Sequence, residues 1–275
     1  MERKRVYITV KTYPTLSEKY DELVCTAGIT EDGSWIRLYP LPFRKLENEQ
    51  KYKKWQWIEV DVERNTSDFR PESYKVLNID TIRINEPENK KVNWEERKRI
   101  LSKSEKIYTN LSELIKQAKA PPYRSLAIFK PTKILDFYSE PTERDWPKDK
   151  LERIQEKAKQ LSLFQTPDEI AEELKVVKKL PYVFKYRFED NQGKESNLMI
   201  EDWEVGTLYL NCLRNADGDE RKALDKVREK YWDDFKTKDL YFFLGTRKAD
   251  HHLAINPFSI VGVFYPPVDK QGSLF

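Results

Sequence analysis

The sequence is short of the residues that build most metal and redox centres. It holds two cysteines, two histidines and two methionines. The histidines, His251 and His252, are adjacent, and the cysteines, Cys25 and Cys212, stand far apart in the chain. A structural zinc site draws four ligands from Cys and His, so no metal centre is expected, and no cofactor. Two separate buried thiols are the simpler reading of the cysteines, because nothing else points to secretion. Glycine is scarce, at eight residues, and neither GxxxxGK[ST] nor GxGxxG occurs. The common phosphate-cradling loops are therefore missing. No apolar run reaches the ~18 residues that span a bilayer. The opening MERKRVYITV is basic, but it continues into strand-like alternation without a signal-peptide core. A cytoplasmic protein with no membrane partner is expected.

What is present is charge and aromatic bulk. Charged residues make up 35%, hydrophobic residues 39% and aromatics 13% of the chain. Disordered chains are poor in aromatics, so this composition describes a folded protein whose core leans on rings. The net charge of +3 is unevenly spread. Residues 1–136 carry 27 Lys and Arg against 21 Asp and Glu; the remainder carries 23 against 26. A nucleic-acid surface would sit in the basic first half. Ordinary solvated charge explains the same imbalance.

Hydrophobic periodicity divides the chain. Residues 5–13, 23–30, 35–39, 55–64 and 74–84 read as strands with period two. Glu31-Asp32-Gly33-Ser34 is a hairpin turn. Five closely spaced strands predict a small closed barrel of OB type. A helix over 94–118 follows, with Asn93 as its N-cap. Residues 125–129 and 133–138 are strands expected to close this first domain, which spans 1–138. A helical connector covers 139–180. From 181 to 275 a second strand-rich domain is expected, with aromatics at 182, 184, 186 and 188 on one strand face and helices over 202–215 and 219–235. The fold class is α+β: an N-terminal OB-like β-barrel with a helical insertion, and a mixed α/β, barrel-like C-terminal domain.

Three stretches carry a resemblance. They are YITVKTYP with ELVCTAGI, GSWIRLYPLPFR, WIEVDVER and RPESY; SLAIFKP at 125–131; and PYVFKYRF with LMIEDWEVGTLY, KDLYFFLGT and FSIVGVFYPP. Together they resemble a prokaryotic family described as carrying a dual OB-containing domain, often linked with mobile elements and defence clusters. The resemblance implies two barrel-like units and, by analogy of fold, contact with nucleic acid. It brings no catalytic residues with it.

The candidate site is the aromatic and basic part of the first barrel. OB folds hold single strands by stacking bases on exposed rings while Lys and Arg follow the phosphates. Trp35, Arg37 and Tyr39 occupy alternate positions of one strand and share a face. Arg44, Lys53, Lys54 and Trp57 add charge and a further ring. The plainer reading, that the rings only build the barrel core, competes with this one. Asp202 and Glu204 open a helix and are read as cap and flank, since acidic residues at a helix N-terminus satisfy free N–H groups. Glu59, Asp61 and Glu63 share a strand face near Lys75, but lack nuclease spacing. His251 and His252 are where acid–base chemistry would be sought first. Gln160, Leu161, Leu163 and Phe164 look like the pentapeptide by which bacterial proteins bind the replicative sliding clamp, and residues 271–275 are a looser copy. The same side chains could equally pin the connector to a domain.

These observations favour a nucleic-acid-binding accessory protein of a bacterial or archaeal defence or DNA-processing system. Single-stranded DNA or RNA is the expected partner, with a protein encoded nearby or the sliding clamp as further candidates. A binding role is preferred to an enzymatic one, and no catalytic residue is assigned. A nuclease or nucleotide-processing enzyme using carboxylates or the His pair, and a scaffold that recruits partners, are the alternatives.

Overall fold

A computed structural model describes residues 1–17, 21–43, 46–85, 93–104, 106–161 and 177–268. The first sheet contains β1 (Glu2–Lys11), β2 (Thr15–Ser17), β3 (Asp21–Thr30), β4 (Trp35–Leu41), β5 (Trp57–Arg64), β6 (Ser73–Val76) and β7 (Arg83–Ile84). Its strand order is β1-β3-β4-β6-β5, and β1 also pairs with β5, so five strands close a mixed barrel. All its pairings are antiparallel except that of β4 with β6. Alternation decides the inside: Val6 and Ile8, Ile36 and Leu38, and Ile58, Val60 and Val62 pack in the barrel core. Glu59 and Asp61 face out and are taken by Arg3, at 3.0 and 2.9 Å. Gly33 turns the β3–β4 hairpin at φ +89°, a conformation open to glycine at little cost. Gly28 lets β3 approach β1 closely, because a Cβ there would lie 2.2 Å from the Tyr7 carbonyl oxygen.

The helix expected over 94–118 is two helices, α1 (Trp94–Leu101) and α2 (Leu111–Lys119), with β8 (Ile107–Tyr108) between them. Asn93 caps the first and Asn110 the second, each side chain accepting a backbone N–H three residues on. The apolar spacing continues across the break, which hid it in the sequence. Strands β9 (Leu126–Phe129) and β10 (Lys133–Pro141), read as closing the first domain, pair instead within the second sheet. β9 is buried on both faces and joins β13 (Tyr241–Thr246), while β10 joins β11 (Tyr182–Glu189). Local pattern showed that these segments are strands; their partners lie more than forty residues away.

The second sheet runs β10-β11-β12-β14-β13-β9-β8, with β12 at Glu195–Ile200 and β14 at Phe258–Phe264. It is mixed: β12 runs parallel to β14, and β8 parallel to β9. Its end strands, β10 and β8, do not pair with each other among the described residues. Phe184, Tyr186 and Phe188 face one core, as their spacing predicts, together with Phe129, Phe137 and Phe242. Helices α4 (Trp203–Asn215) and α5 (Glu220–Arg228) cover this face with Val205, Tyr209, Ala223 and Val227. Helix α3 (Lys148–Leu161) lies in the connector. No described helix is long and apolar enough to cross a membrane.

A third apolar cluster joins the two halves. Val10, Ala27 and Ile29, on the outside of the barrel, pack against Leu126, Ile128, Tyr241, Phe243, Val261 and Phe264 of the second sheet. The barrel is thus covered along its β1–β3–β4 side. Cys25 and Cys212 are free and only partly buried.

Candidate nucleic-acid interface

Trp35, Arg37 and Tyr39 do share a side of β4, and that side looks into the seam between the halves. The Trp35 ring meets the edge of Phe243, with centroids 5.9 Å apart. Arg37 is 1% exposed. Its Nη1 donates to Ser73 Oγ at 3.2 Å and Ser125 Oγ at 2.7 Å, and its Nη2 donates to the Ser125 carbonyl at 3.1 Å. Ser125 in turn donates from its N and Oγ to the Glu72 carboxylate, at 3.0 and 2.7 Å. Next to this chain of contacts, Arg70 forms a fork with Asp68 and donates to the Thr246 carbonyl. Two arginines and two acids are therefore buried together across the seam. Burial and the nearby Arg70 pull the Arg37 pKa down from its ordinary value.

The other candidates scatter. Trp57 is buried, packed on Tyr7 at 5.1 Å, with the Arg5 guanidinium 4.8 Å from its ring. The Lys54 side chain is buried, and its Nζ lies 2.9 Å from both Asp202 Oδ2 and Glu204 Oε2. Tyr39 is half-buried, and Lys53 is the exposed one among the described candidates. Arg44, Leu163 and Phe164 lie outside the described residues, as do 271–275 and the side chains of Gln160 and Leu161.

Asp202 is the N-cap of α4, its Oδ1 accepting the Glu204 N–H at 3.2 Å. Burial and the neighbouring Glu204 push its carboxyl up to about 6, against the pull of Lys54. Lys54, held by two carboxylates, is raised above its ordinary value although burial opposes this. Among the described residues no three His, Cys, Asp or Glu side chains converge as a metal ion would require.

The histidine pair splits into two roles. His251 is fully buried. Its Nε2 lies 2.7 Å from the Ala118 carbonyl and its Nδ1 2.7 Å from the Thr246 hydroxyl. A carbonyl only accepts, so Nε2 carries the proton and Nδ1 accepts from Thr246. Both nitrogens are used, burial pulls the pKa down, and the ring anchors the 247–257 loop to α2. His252 is exposed and stacks on Phe69, centroids 4.3 Å apart at an interplanar angle of 27°. Tyr123, whose backbone sits at φ +60°, stands edge-on to His252 at 5.5 Å and to Phe69 at 6.1 Å.

Three loops thus meet at one surface: 65–72 between β5 and β6, 120–125 between α2 and β9, and 247–257 between β13 and β14. Phe69 is 38% exposed. Lys248 reaches across to the Ser67 carbonyl, and Lys119 donates to the carbonyls of His252 and Ala254. Arg247, exposed, pairs with Asp250 at 2.7 Å. Rings and cations alternate here as base stacking and phosphate contact require. Sequence reasoning missed Phe69 and Tyr123 because each is a lone ring in a polar, turn-rich segment. The one available signal was an aromatic flanked by proline and arginine, in DFRP and PPYR.

Residues 2–103 match the family model described as domain of unknown function DUF8758, and residues 108–275 match that described as domain of unknown function DUF8757. The break between them falls between α1 and β8, where the chain passes from the barrel to the second sheet. Among curated proteins none matches the chain.

Proposed function

We propose that this chain, which belongs through residues 108–275 to the family of the domain of unknown function DUF8757, is a single-stranded nucleic-acid-binding protein. The stacked, exposed Phe69–His252 pair, rimmed by Lys119, Arg247 and Lys248, carries this reading. The barrel topology supports it. With the short β2 set aside, the barrel strands run first-second-third-fifth-fourth-first, with the third and fifth parallel. We assign this to the OB type, whose ligands contact the second and third strands and the loops 1–2 and 4–5. In this chain the second half covers much of the β3–β4 face. The loop between the fourth and fifth barrel strands is residues 65–72, and it carries Phe69. The second half adds His252 and Tyr123 to it, so both matched domains build one platform. Single strands of this kind arise in the defence or DNA-processing setting that the resemblance implies.

Fluorescence anisotropy with labelled single-stranded DNA, single-stranded RNA and duplex DNA tests this. Replacing Phe69 and His252 together by alanine should weaken single-strand binding by about 1–3 kcal/mol for each stacked base lost, roughly 5- to 150-fold. Replacing Arg247 and Lys248 by alanine should make the dependence of log K on log salt shallower by roughly two phosphate contacts. Lys53→Ala should leave both nearly unchanged. Wild-type protein that binds no strand at low salt would end the proposal. So would platform variants that are folded and bind as tightly as wild type.

A further inference from the structure

Lys11 ends β1 inside a cup of three rings. Its Nζ lies 3.6 Å from the centroid of Phe43, 4.6 Å from Trp203 and 5.7 Å from Tyr52. The rings brace one another: Phe43 stands edge-on to Tyr52 at 5.0 Å and to Trp203 at 5.6 Å. Tyr52 is fixed beneath by a 2.7 Å hydrogen bond between its hydroxyl and Thr26 Oγ1. Both nearby carboxylates, Asp202 and Glu204, are already taken by Lys54. Lys11 itself donates to the Tyr52 carbonyl at 3.4 Å. It is therefore an amine partly withdrawn from water, close to a second ammonium and with no carboxylate bonded to it, yet it keeps some exposure. Ring faces attract a cation, but they bring no counter-charge. Burial first, then Lys54, bring the amine down to about 8, while Glu204 and Asp202 pull the other way. A desolvated lysine beside another cation is the arrangement that makes an amine nucleophilic near neutral pH.

We propose that Lys11 is a covalent ligand site whose amine condenses with small aldehydes of apolar or aromatic body, which the Phe43–Tyr52–Trp203 cup would seat. The neutral amine's lone pair attacks the carbonyl carbon. The carbinolamine then expels the oxygen as water, which carries off both amine hydrogens, and a C=N bond to Nζ remains. Nothing is oxidised or reduced. The site is separate from the Phe69–His252 platform and stands without the nucleic-acid reading.

The full-length protein is treated with benzaldehyde and cyanoborohydride, which traps the imine as a secondary amine, and the labelled lysines are mapped by peptide mass spectrometry. At pH 7.5 Lys11 should be labelled at least roughly 10-fold faster than the median lysine, because far more of it is neutral than of a lysine near its ordinary value of about 10.4. Its labelling rate should reach half its maximum near pH 8. Lys11→Arg keeps the charge in the cup and should remove the fast component while leaving every other peptide unchanged. Labelling of Lys11 at or below the median rate overturns the proposal, as does a fast component that survives Lys11→Arg.

Discussion

Arg37→Ala is expected to destabilise the protein by about 3–5 kcal/mol, the usual cost of removing one partner from a buried charge network. The guanidinium is 1% exposed and supplies three hydrogen bonds, to Ser73 Oγ, Ser125 Oγ and the Ser125 carbonyl. Without it, Ser125 still donates to Glu72, but the Glu72 carboxylate stays buried with its nearest positive charge gone. The network crosses from the barrel to the first residue before β9, so the loss acts on the seam as well as on β4. A fall in Tm of roughly 10 °C should accompany it in a thermal scan. Arg37→Lys should recover only part, because an ammonium cannot reproduce the fork that holds Ser125 Oγ and carbonyl together. Any nucleic-acid affinity, measured on the folded fraction at low temperature, should not change with Arg37. A variant as stable as wild type but defective in binding would return Arg37 to the surface role its strand position first indicated.

Lys54→Met should cost a similar amount, about 3–5 kcal/mol near neutral pH, with a pH dependence that identifies its cause. Lys54 holds Asp202 and Glu204 at 2.9 Å each, and Asp202 is 0% exposed. In the wild type the Asp202 carboxyl stands at about 6, above its unfolded value. Between the two values the folded chain binds more protons than the unfolded chain. The contribution of Asp202 is therefore most favourable at low pH and is lost as pH rises through about 6. Removing the lysine takes away the main force holding that carboxyl down, so its pKa climbs further and the loss extends to higher pH. The Tm difference between Lys54→Met and wild type should be larger at pH 7.5 than at pH 5. Asp202→Asn added to Lys54→Met should shrink the pH 7.5 deficit, since it removes the buried charge but keeps a capping oxygen. An equal deficit at both pH values would mean that lost packing, and not an uncompensated carboxylate, sets the cost.

Strand positions in the barrel, the Gly33 hairpin, the aromatic stripe on β11 and the Asp202 cap all follow from local rules: period two, a positive φ at glycine, and a side-chain oxygen for free N–H groups. Residues within a few positions of one another carry that information, so it was legible. The pattern also placed Trp35, Arg37 and Tyr39 on one face correctly. Which way the face looks depends on whether another surface covers it, and that surface is Phe243 and Ser125, far along the chain. The same limit hid the partners of β9 and β10, because a strand's alternation is identical whichever sheet it joins. It separated two adjacent histidines that look equivalent in sequence: His251 is consumed by the Ala118 carbonyl and Thr246, while His252 stacks on Phe69 in solvent. Composition and periodicity settled the α+β class and the inward residues of each strand, since burial of apolar side chains is read from neighbours in the chain. Only the packing of barrel against second sheet decided which polar and aromatic groups stay at the surface, because removal from water depends on residues brought together from distant segments.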